Sequence, residues 1–175
     1  MENGLIHIYC GDGKGKSTAA AGLAVRAAGA GLKVLFARFL KTEHSAELAP
    51  LSGISLIDIL PITQEFGFIR SKDNPVVSDA RKYYSGYFDA AVTKAVEDNY
   101  DLLILDEINA AVSLGIVPKE KLIHFLINKP KKLEIVITGR NPSEEIIELA
   151  DYVSEIKKIK HPYDRGILAR RGIEY

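Results

Sequence analysis

The sequence predicts an α/β fold in which a mostly parallel central sheet carries helices on both faces. Short apolar runs alternate along the chain with segments whose apolar residues recur at helical spacing, and this alternation is typical of parallel sheets. The chain has 175 residues, of which 47% are hydrophobic, so it is long enough to bury a core of ordinary size. We therefore expect a single domain over residues 1–175.

Residues 5–10 form the first apolar run and predict a buried strand. A glycine-rich turn follows this run, and residues 16–30 then predict an alanine-rich helix suited to close packing on a sheet. Further strands are predicted over residues 33–40, 54–60, 100–109, 134–138 and 153–159. The alternation of these strands with helices brings the carboxyl ends of several strands to one edge, where ligands bind in such folds.

Three further helices are predicted from their start signals. Residues 74–99 begin with Asn74 as an N-cap and Pro75 at the first helical position. Residues 118–128 open with Pro118, and Ser143 caps a short helix. Two stretches between these elements, 41–53 and 61–75, predict loops, the first with some helical turn. The second loop is long, and long loops in a compact domain either serve a function or are flexible surface segments.

The turn after the first strand has the composition of a phosphate-binding loop. Glycines let successive backbone N–H groups converge on one point, and the following helix N-terminus adds partial positive charge. Lys16 is expected to reach phosphate oxygens, and the Ser17 hydroxyl to bind Mg²⁺. Cys10 stands where the usual pattern has its first glycine, and the bland alternative is a turn without a ligand. The predicted nucleotide-binding residues here are Gly11, Asp12, Gly13, Lys14, Gly15, Lys16, Ser17 and Thr18.

A second motif lies at the end of the run within residues 100–109. Four apolar residues lead directly into Asp106 and Glu107, which is the form of a Walker B strand. A magnesium–triphosphate site needs an acidic group there to hold the metal, directly or through water. Together with the glycine-rich loop, this order of motifs predicts a P-loop NTPase (RecA-like) fold.

Composition excludes several other classes. Lys and Arg together number 23, as do Asp and Glu, so no net charge favours nucleic acid. The single cysteine, Cys10, excludes an internal disulfide and fits a reducing compartment. No apolar run approaches membrane-spanning length and no signal-peptide pattern is present, so we expect a soluble, cytoplasmic protein.

The residues by themselves predict a protein that binds magnesium and a nucleoside triphosphate, and they leave the acceptor open. The histidines are scattered, and only His161, beside a basic tail, invites a functional interpretation. A P-loop ATPase, a small-molecule kinase and a regulatory module without turnover all fit these motifs.

The sequence resembles the P-loop type of ATP:corrinoid adenosyltransferase, also called cob(I)yrinic acid a,c-diamide adenosyltransferase. The resemblance covers nearly the whole chain, and that family also lacks the first Walker glycine. It rests on the segments CGDGKGKSTAAAGLAVRAAG, RFLK, LLILDEIN, VITGRNP, ELADYVSEI and KHPYDRGILARRGIEY.

The resemblance implies transfer of the 5′-deoxyadenosyl group from ATP to the Co(I) of a corrinoid, with release of triphosphate. It implies that Ser17 and Glu107 bind Mg²⁺ with Asp106 in support, and that Lys16 and Glu107 serve catalysis. It also implies nucleotide contacts from Arg26 and Arg140.

For the corrinoid, the resemblance implies aromatic residues in the loop after the third strand. Phe68 is the candidate catalytic aromatic, with Phe66 behind it, and the tryptophan of some relatives is absent. A homodimer and a flavoprotein reductant that supplies Co(I) are the implied partners.

Overall fold

The computed structural model describes residues 2–41, 45–67, 69, 71–73 and 75–174. Six strands alternate with helices along this chain. The strands are β1 (Ile6–Cys10), β2 (Val34–Arg38), β3 (Ile57–Ile59), β4 (Leu102–Asp106), β5 (Glu134–Thr138) and β6 (Tyr152–Glu155). The helices are α1 (Lys16–Gly29), α2 (Leu48–Ser52), α3 (Val77–Glu97), α4 (Ile108–Ser113), α5 (Lys119–Asn128) and α6 (Glu144–Glu148).

The six strands form one sheet in the order β3-β2-β4-β5-β1-β6, and every pairing is parallel. The central strands are mostly apolar because both faces of a parallel sheet are covered, and their polar residues lie at the strand ends. In the register of β2 and β4, Arg38 lies opposite Asp106, and Tyr9 of β1 lies opposite Thr138 of β5. The carboxyl ends of β1, β2, β4 and β5 therefore meet at one edge.

Each face of the sheet has its own core. Alanines of α1 pack with Phe36, Ile104 and Val136 on one face. On the other face, helices α3 to α6 pack against Leu35, Leu103 and other residues of alternate register. Helices on both faces confirm the predicted layering. Small side chains on α1 let its backbone lie close to this face of the sheet. The helix begins at the edge that carries the glycine-rich turn.

The aromatic stripe of α3 belongs to the core. Tyr84, Tyr87 and Phe88 are buried, and Phe39 contacts the first two at ring-centroid distances of 5.8 and 5.3 Å. Burial, the largest effect on both, raises the pKa of Tyr84 to about 12 and moves the pKa of Tyr87 upward as well. Of the helices in the described part of the chain, none has both the length and the apolar character that a membrane crossing requires.

Two helix starts differ from the sequence expectation, one predicted cap lacks its hydrogen bond, and one helix was not predicted. Helix α3 begins at Val77 with Val76 as its N-cap, so Pro75 is not the first helical residue, and Asn74 lies outside the described residues. Pro118 is the N-cap of α5 and does not lie inside the helix. Ser143 precedes α6 without a side-chain cap hydrogen bond. Helix α4 was not predicted, because its six residues follow β4 after one intervening residue.

Candidate active site

The glycine-rich turn joins β1 to α1 at the carboxyl edge of the sheet. Gly11 and Gly15 have φ values of 98° and 124°, which side-chain-bearing residues rarely adopt. Gly15 is the N-cap of α1, so the unpaired N–H groups of the first helical turn face the turn that precedes them. This geometry is suited to an anion such as a phosphate group.

A second reason for glycine in the turn comes from the segment that follows β6. A Cβ atom at Gly11 would lie 2.4 Å from the carbonyl oxygen of Ile156, and one at Gly13 would lie 2.7 Å from it. The Gly13 N–H donates to this same oxygen at 2.7 Å, and the Lys158 N–H donates to Asp12 Oδ1 at 2.9 Å. The hydrogen bond from Lys158 lowers the pKa of Asp12. The turn is therefore supported from outside by the C-terminal segment.

Lys16 is buried beneath the turn. Its Nζ donates to the carbonyl oxygen of Gly13 at 2.7 Å. Burial lowers the pKa of Lys16, and the nearby charge of Glu107 acts in the opposite direction. A lysine held at this point can exchange a carbonyl partner for a phosphate oxygen without leaving the loop.

Asp106 ends β4 as a fully buried carboxylate with two strong partners. Thr138 donates its hydroxyl hydrogen to Oδ1 at 2.6 Å, and Lys41 donates to Oδ2 at 2.6 Å. The same Lys41 Nζ contacts Ser17 Oγ at 2.7 Å. A single positive charge thus lies between the first turn of α1 and the end of β4.

Glu107 follows Asp106 in an unusual backbone conformation. Its φ is 64°, a left-handed value that is unfavourable for glutamate and is maintained by surrounding structure. Its N–H donates to Thr138 Oγ1 at 2.8 Å. Burial raises the pKa of the Glu107 carboxyl and the Asp106 charge adds to the effect, although Lys41, Lys16 and Arg140 oppose it.

The arrangement fits a divalent cation of the magnesium type. Ser17 Oγ and Asp106 Oδ2 are hard oxygen ligands, and both already contact one cationic group, the Lys41 ammonium. Among the residues that the structure describes, no cluster of three or more His, Cys, Asp or Glu side chains could hold a metal by itself. A metal here would take its remaining ligands from phosphate and water, as Mg²⁺ commonly does.

The other predicted nucleotide residues differ in their placement. Arg140 follows β5, where its charge acts on Lys16, Glu107 and Asp12. Arg26 is exposed in the last turn of α1, about 15 Å along the helix from Lys16 at the standard rise. The structure therefore brings Arg140 to the loop and leaves Arg26 distant from it.

The structure describes one of the two aromatic residues predicted for the corrinoid. Phe68 lies outside the described residues. Phe66 is half-buried and packs on Tyr83 and Tyr84, with ring centroids 5.6 and 5.8 Å apart. His161 caps the short 3-10 helix Pro162–Arg165, its Nδ1 accepting from the N–H of Tyr163, which is a structural role.

Sequence reasoning missed two residues of the site. Lys41 was noticed only as part of RFLK, and Thr138 only as a strand end. Lys41 follows β2 and Thr138 ends β5, and both strands lie beside β4 in the sheet. A prediction of this strand order would have placed both residues near Asp106.

Solved structures of other proteins share this fold, among them a KaiC-like protein and EssC. The chain aligns with a KaiC-like protein of Pyrococcus horikoshii with TM-score 0.58 and 17% identity, over 91% of this chain and 75% of that one. It aligns with EssC (ATPases 2 and 3) of Geobacillus thermodenitrificans with TM-score 0.53 and 16% identity, over 98% and 35%. Together with the glycine-rich turn, this likeness defines an α/β fold of the P-loop NTPase class, as predicted.

Sequence similarity to known proteins identifies the family of the chain. The family model for ATP:corrinoid adenosyltransferase BtuR/CobO/CobP matches residues 2–175. The corrinoid adenosyltransferase of Escherichia coli is 31% identical over 174 residues, covering 99% of this chain and 87% of that protein. The corrinoid adenosyltransferase CobA of Salmonella typhimurium is 32% identical over 179 residues, with the same two shares. The chain belongs to the ATP:corrinoid adenosyltransferase family, which confirms the resemblance and assigns it ATP-dependent adenosylation of corrinoids in cobalamin biosynthesis.

Proposed function

We propose that the chain transfers the 5′-deoxyadenosyl group of ATP to the Co(I) of cob(I)alamin or cob(I)yrinic acid a,c-diamide, at the edge formed by the glycine-rich turn and β4. The observation that carries this proposal is the cation position shared by Ser17 and Asp106, directly beside the turn. Ser17, Asp106 and Glu107 would hold Mg²⁺, which would neutralise charge on the triphosphate.

The reaction requires little covalent chemistry from the protein. The electron pair of Co(I) attacks the ribose C5′, a Co–C bond forms, and the C5′–O bond breaks with its electrons on the leaving triphosphate. Because Co(I) is already a strong nucleophile, no protein base is needed. The residues must hold the two reactants in line and stabilise the charge that develops on the leaving group.

The turn supplies these functions through groups that are already oriented. The N–H groups of residues 11–18 and the buried Lys16 would bind the polyphosphate, and Arg140 would add a further positive charge. Glu107, with its carboxyl buried beside Asp106, would act through the metal. Arg26 is a predicted nucleotide contact in the exposed last turn of α1. From there it would contact the nucleotide bound by a neighbouring protomer of the proposed homodimer.

The remaining assignments are also proposals. We propose one domain over residues 1–175, a homodimer, a flavoprotein reductant and a cytoplasmic location that the single cysteine supports. Phe68 is proposed to contact the corrinoid from the loop after β3.

Product analysis tests the reaction. The protein is incubated without oxygen with Mg-ATP and chemically reduced cob(I)alamin or cob(I)yrinic acid a,c-diamide. We expect a light-sensitive Co–C absorbance spectrum and one triphosphate per transfer, resolved by phosphorus NMR. Lys121→Met, on the distant surface of α5, serves as the control that should retain full turnover. Release of ADP and orthophosphate with no spectral change would instead indicate an ATPase or a kinase.

A further inference from the structure

Lys41 joins the first turn of α1 to the end of β4. Its Nζ lies 2.7 Å from Ser17 Oγ and 2.6 Å from Asp106 Oδ2. Asp106 is fully buried, whereas the Lys41 side chain remains 24% exposed. The ammonium group therefore neutralises a buried carboxylate while the rest of the lysine keeps a route to solvent.

The backbone before Lys41 is fixed in a specific conformation. Leu40 has a φ of 56°, a left-handed value that a leucine rarely adopts without support. The preceding residue, Phe39, donates its N–H to the carbonyl oxygen of Asp106 at 2.8 Å. The end of β2 is thus attached to the end of β4, and the turn at Leu40 directs Lys41 back toward Asp106.

A divalent cation and the Lys41 ammonium cannot share this position. Both need the same oxygens of Ser17 and Asp106, and two positive groups at contact distance repel one another strongly in a buried setting. A metal that arrives alone would have to displace the ammonium from Asp106, which breaks a charged hydrogen bond to a buried carboxylate. A polyphosphate that arrives with the metal gives the displaced ammonium a partner, because phosphate oxygens bind lysine well.

We propose that Lys41 is a built-in cation that makes metal binding at Ser17 and Asp106 conditional on polyphosphate. Before the nucleotide binds, Lys41 holds the two oxygen ligands together and keeps Asp106 paired. When metal and polyphosphate enter together, Lys41 moves from Asp106 to a phosphate oxygen. This inference rests on the proposed metal position and deepens it, by assigning Lys41 as a positioning residue for both ligands.

The chain contains a matched control for the test. Lys121 of α5 also joins a serine and an aspartate, with its Nζ 2.9 Å from Ser85 Oγ and 2.7 Å from Asp89 Oδ2. This second bridge joins α5 to α3, which pack on the face of the sheet opposite to α1. Lys41→Met and Lys121→Met therefore remove the same kind of contact at two places, of which only one concerns the site.

The measurement uses Mn²⁺ in place of Mg²⁺, because the electron paramagnetic resonance signal of free Mn²⁺ is lost on binding. Each protein is titrated with Mn²⁺, alone and with inorganic tripolyphosphate. We expect wild-type protein to bind Mn²⁺ weakly when no tripolyphosphate is present. With tripolyphosphate, and after the Mn²⁺ bound by free tripolyphosphate is subtracted, its Mn²⁺ affinity should be at least about tenfold higher, because a charged hydrogen bond is worth roughly that factor. Lys41→Met should bind Mn²⁺ alone about tenfold more tightly than wild-type protein does, whereas Lys121→Met should behave as wild type.

Two results would overturn the inference. Equal Mn²⁺ affinities of wild-type and Lys41→Met protein, with circular dichroism showing that both are folded, would mean that Lys41 does not compete for the position. If Lys41→Met does not fold, wild-type protein alone decides, since Mn²⁺ affinity that is independent of tripolyphosphate contradicts conditional binding. Adenosylation of cob(I)alamin is measured on the same wild-type sample, so that loss of transfer with the Lys41 effect intact would refute only the proposed function.

Discussion

Replacing Thr138 by valine tests whether the carboxyl edge of the sheet is held together by one hydroxyl group. Thr138 is fully buried at the end of β5. Its Oγ1 donates to Asp106 Oδ1 at 2.6 Å and accepts from the Glu107 N–H at 2.8 Å. Valine has nearly the same shape, so the substitution removes both hydrogen bonds while leaving the packing intact.

The two partners set the size of the effect. A hydrogen bond to an ionised carboxylate contributes about 2 kcal/mol, and an N–H left without a partner costs about 1 kcal/mol more, so Thr138→Val should lose about 3 kcal/mol. Thr138→Ser keeps the hydroxyl and removes one methyl group, which should cost only about 1 kcal/mol. For a chain of this length these losses lower the melting temperature by about 9 °C and about 3 °C respectively.

Thermal and urea unfolding of the nucleotide-free protein measure both variants. The expected order is wild type, then serine, then valine, whereas apolar burial alone would make the valine variant more stable than the serine variant. ATP affinity should follow the same order, because valine leaves Asp106 and Glu107 without the group that positions them. A valine variant as stable as the serine variant would refute the role assigned to the hydroxyl.

Three further predictions concern the turn and its surroundings. Lys16→Ala should weaken Mg-ATP binding about a hundredfold in calorimetry and abolish transfer, with little change in melting temperature; unchanged affinity would mean that the turn does not hold phosphate. Burial raises the pKa of Glu107 in the folded chain, so its ionised carboxylate destabilises the fold at pH values above this raised pKa. Below the ordinary value of 4.5 the carboxyl is protonated in both the folded and the unfolded chain, and this cost is absent. Glu107→Gln should therefore stabilise the nucleotide-free protein at neutral pH, with the gain in melting temperature disappearing as the pH falls through 4.5, and a gain that persists at low pH would contradict this cause. Gly13→Ala should cost about 2 kcal/mol in urea unfolding, because its Cβ would lie 2.7 Å from the Ile156 carbonyl oxygen, whereas Gly22→Ala, which meets no atom within 4 Å, should not destabilise.

The general fold could be predicted because its signals are local. Five of the six predicted strands begin within two residues of an observed strand, and the third begins later, at Ile57. The predicted runs 100–109 and 153–159 extend beyond the observed strand ends at Asp106 and Glu155. Helix α4 escaped prediction because a six-residue helix beginning after a left-handed residue carries too few turns to show a period. The start of α3 was wrong because cap signals place a helix end only approximately.

The phosphate-binding half of the site was also readable from the sequence. Gly11 to Ser17 are contiguous, and Asp106 and Glu107 end one apolar run, so each motif is contained in a short segment. The glycines were explained by phosphate alone, however. The second reason, their contact with Ile156, depends on a strand that follows some 140 residues later along the chain.

The strands, most of the helices, the phosphate-binding turn and the acidic strand end could all be predicted from the amino-acid sequence, because each depends on neighbouring residues. The contacts of Lys41 and Thr138 with Asp106 could not, since they require β2 and β5 to flank β4 in a particular register. A buried carboxylate is stable only when groups close to it in the folded chain pair with it. Those partners come from whichever strands lie beside it, at any distance along the chain.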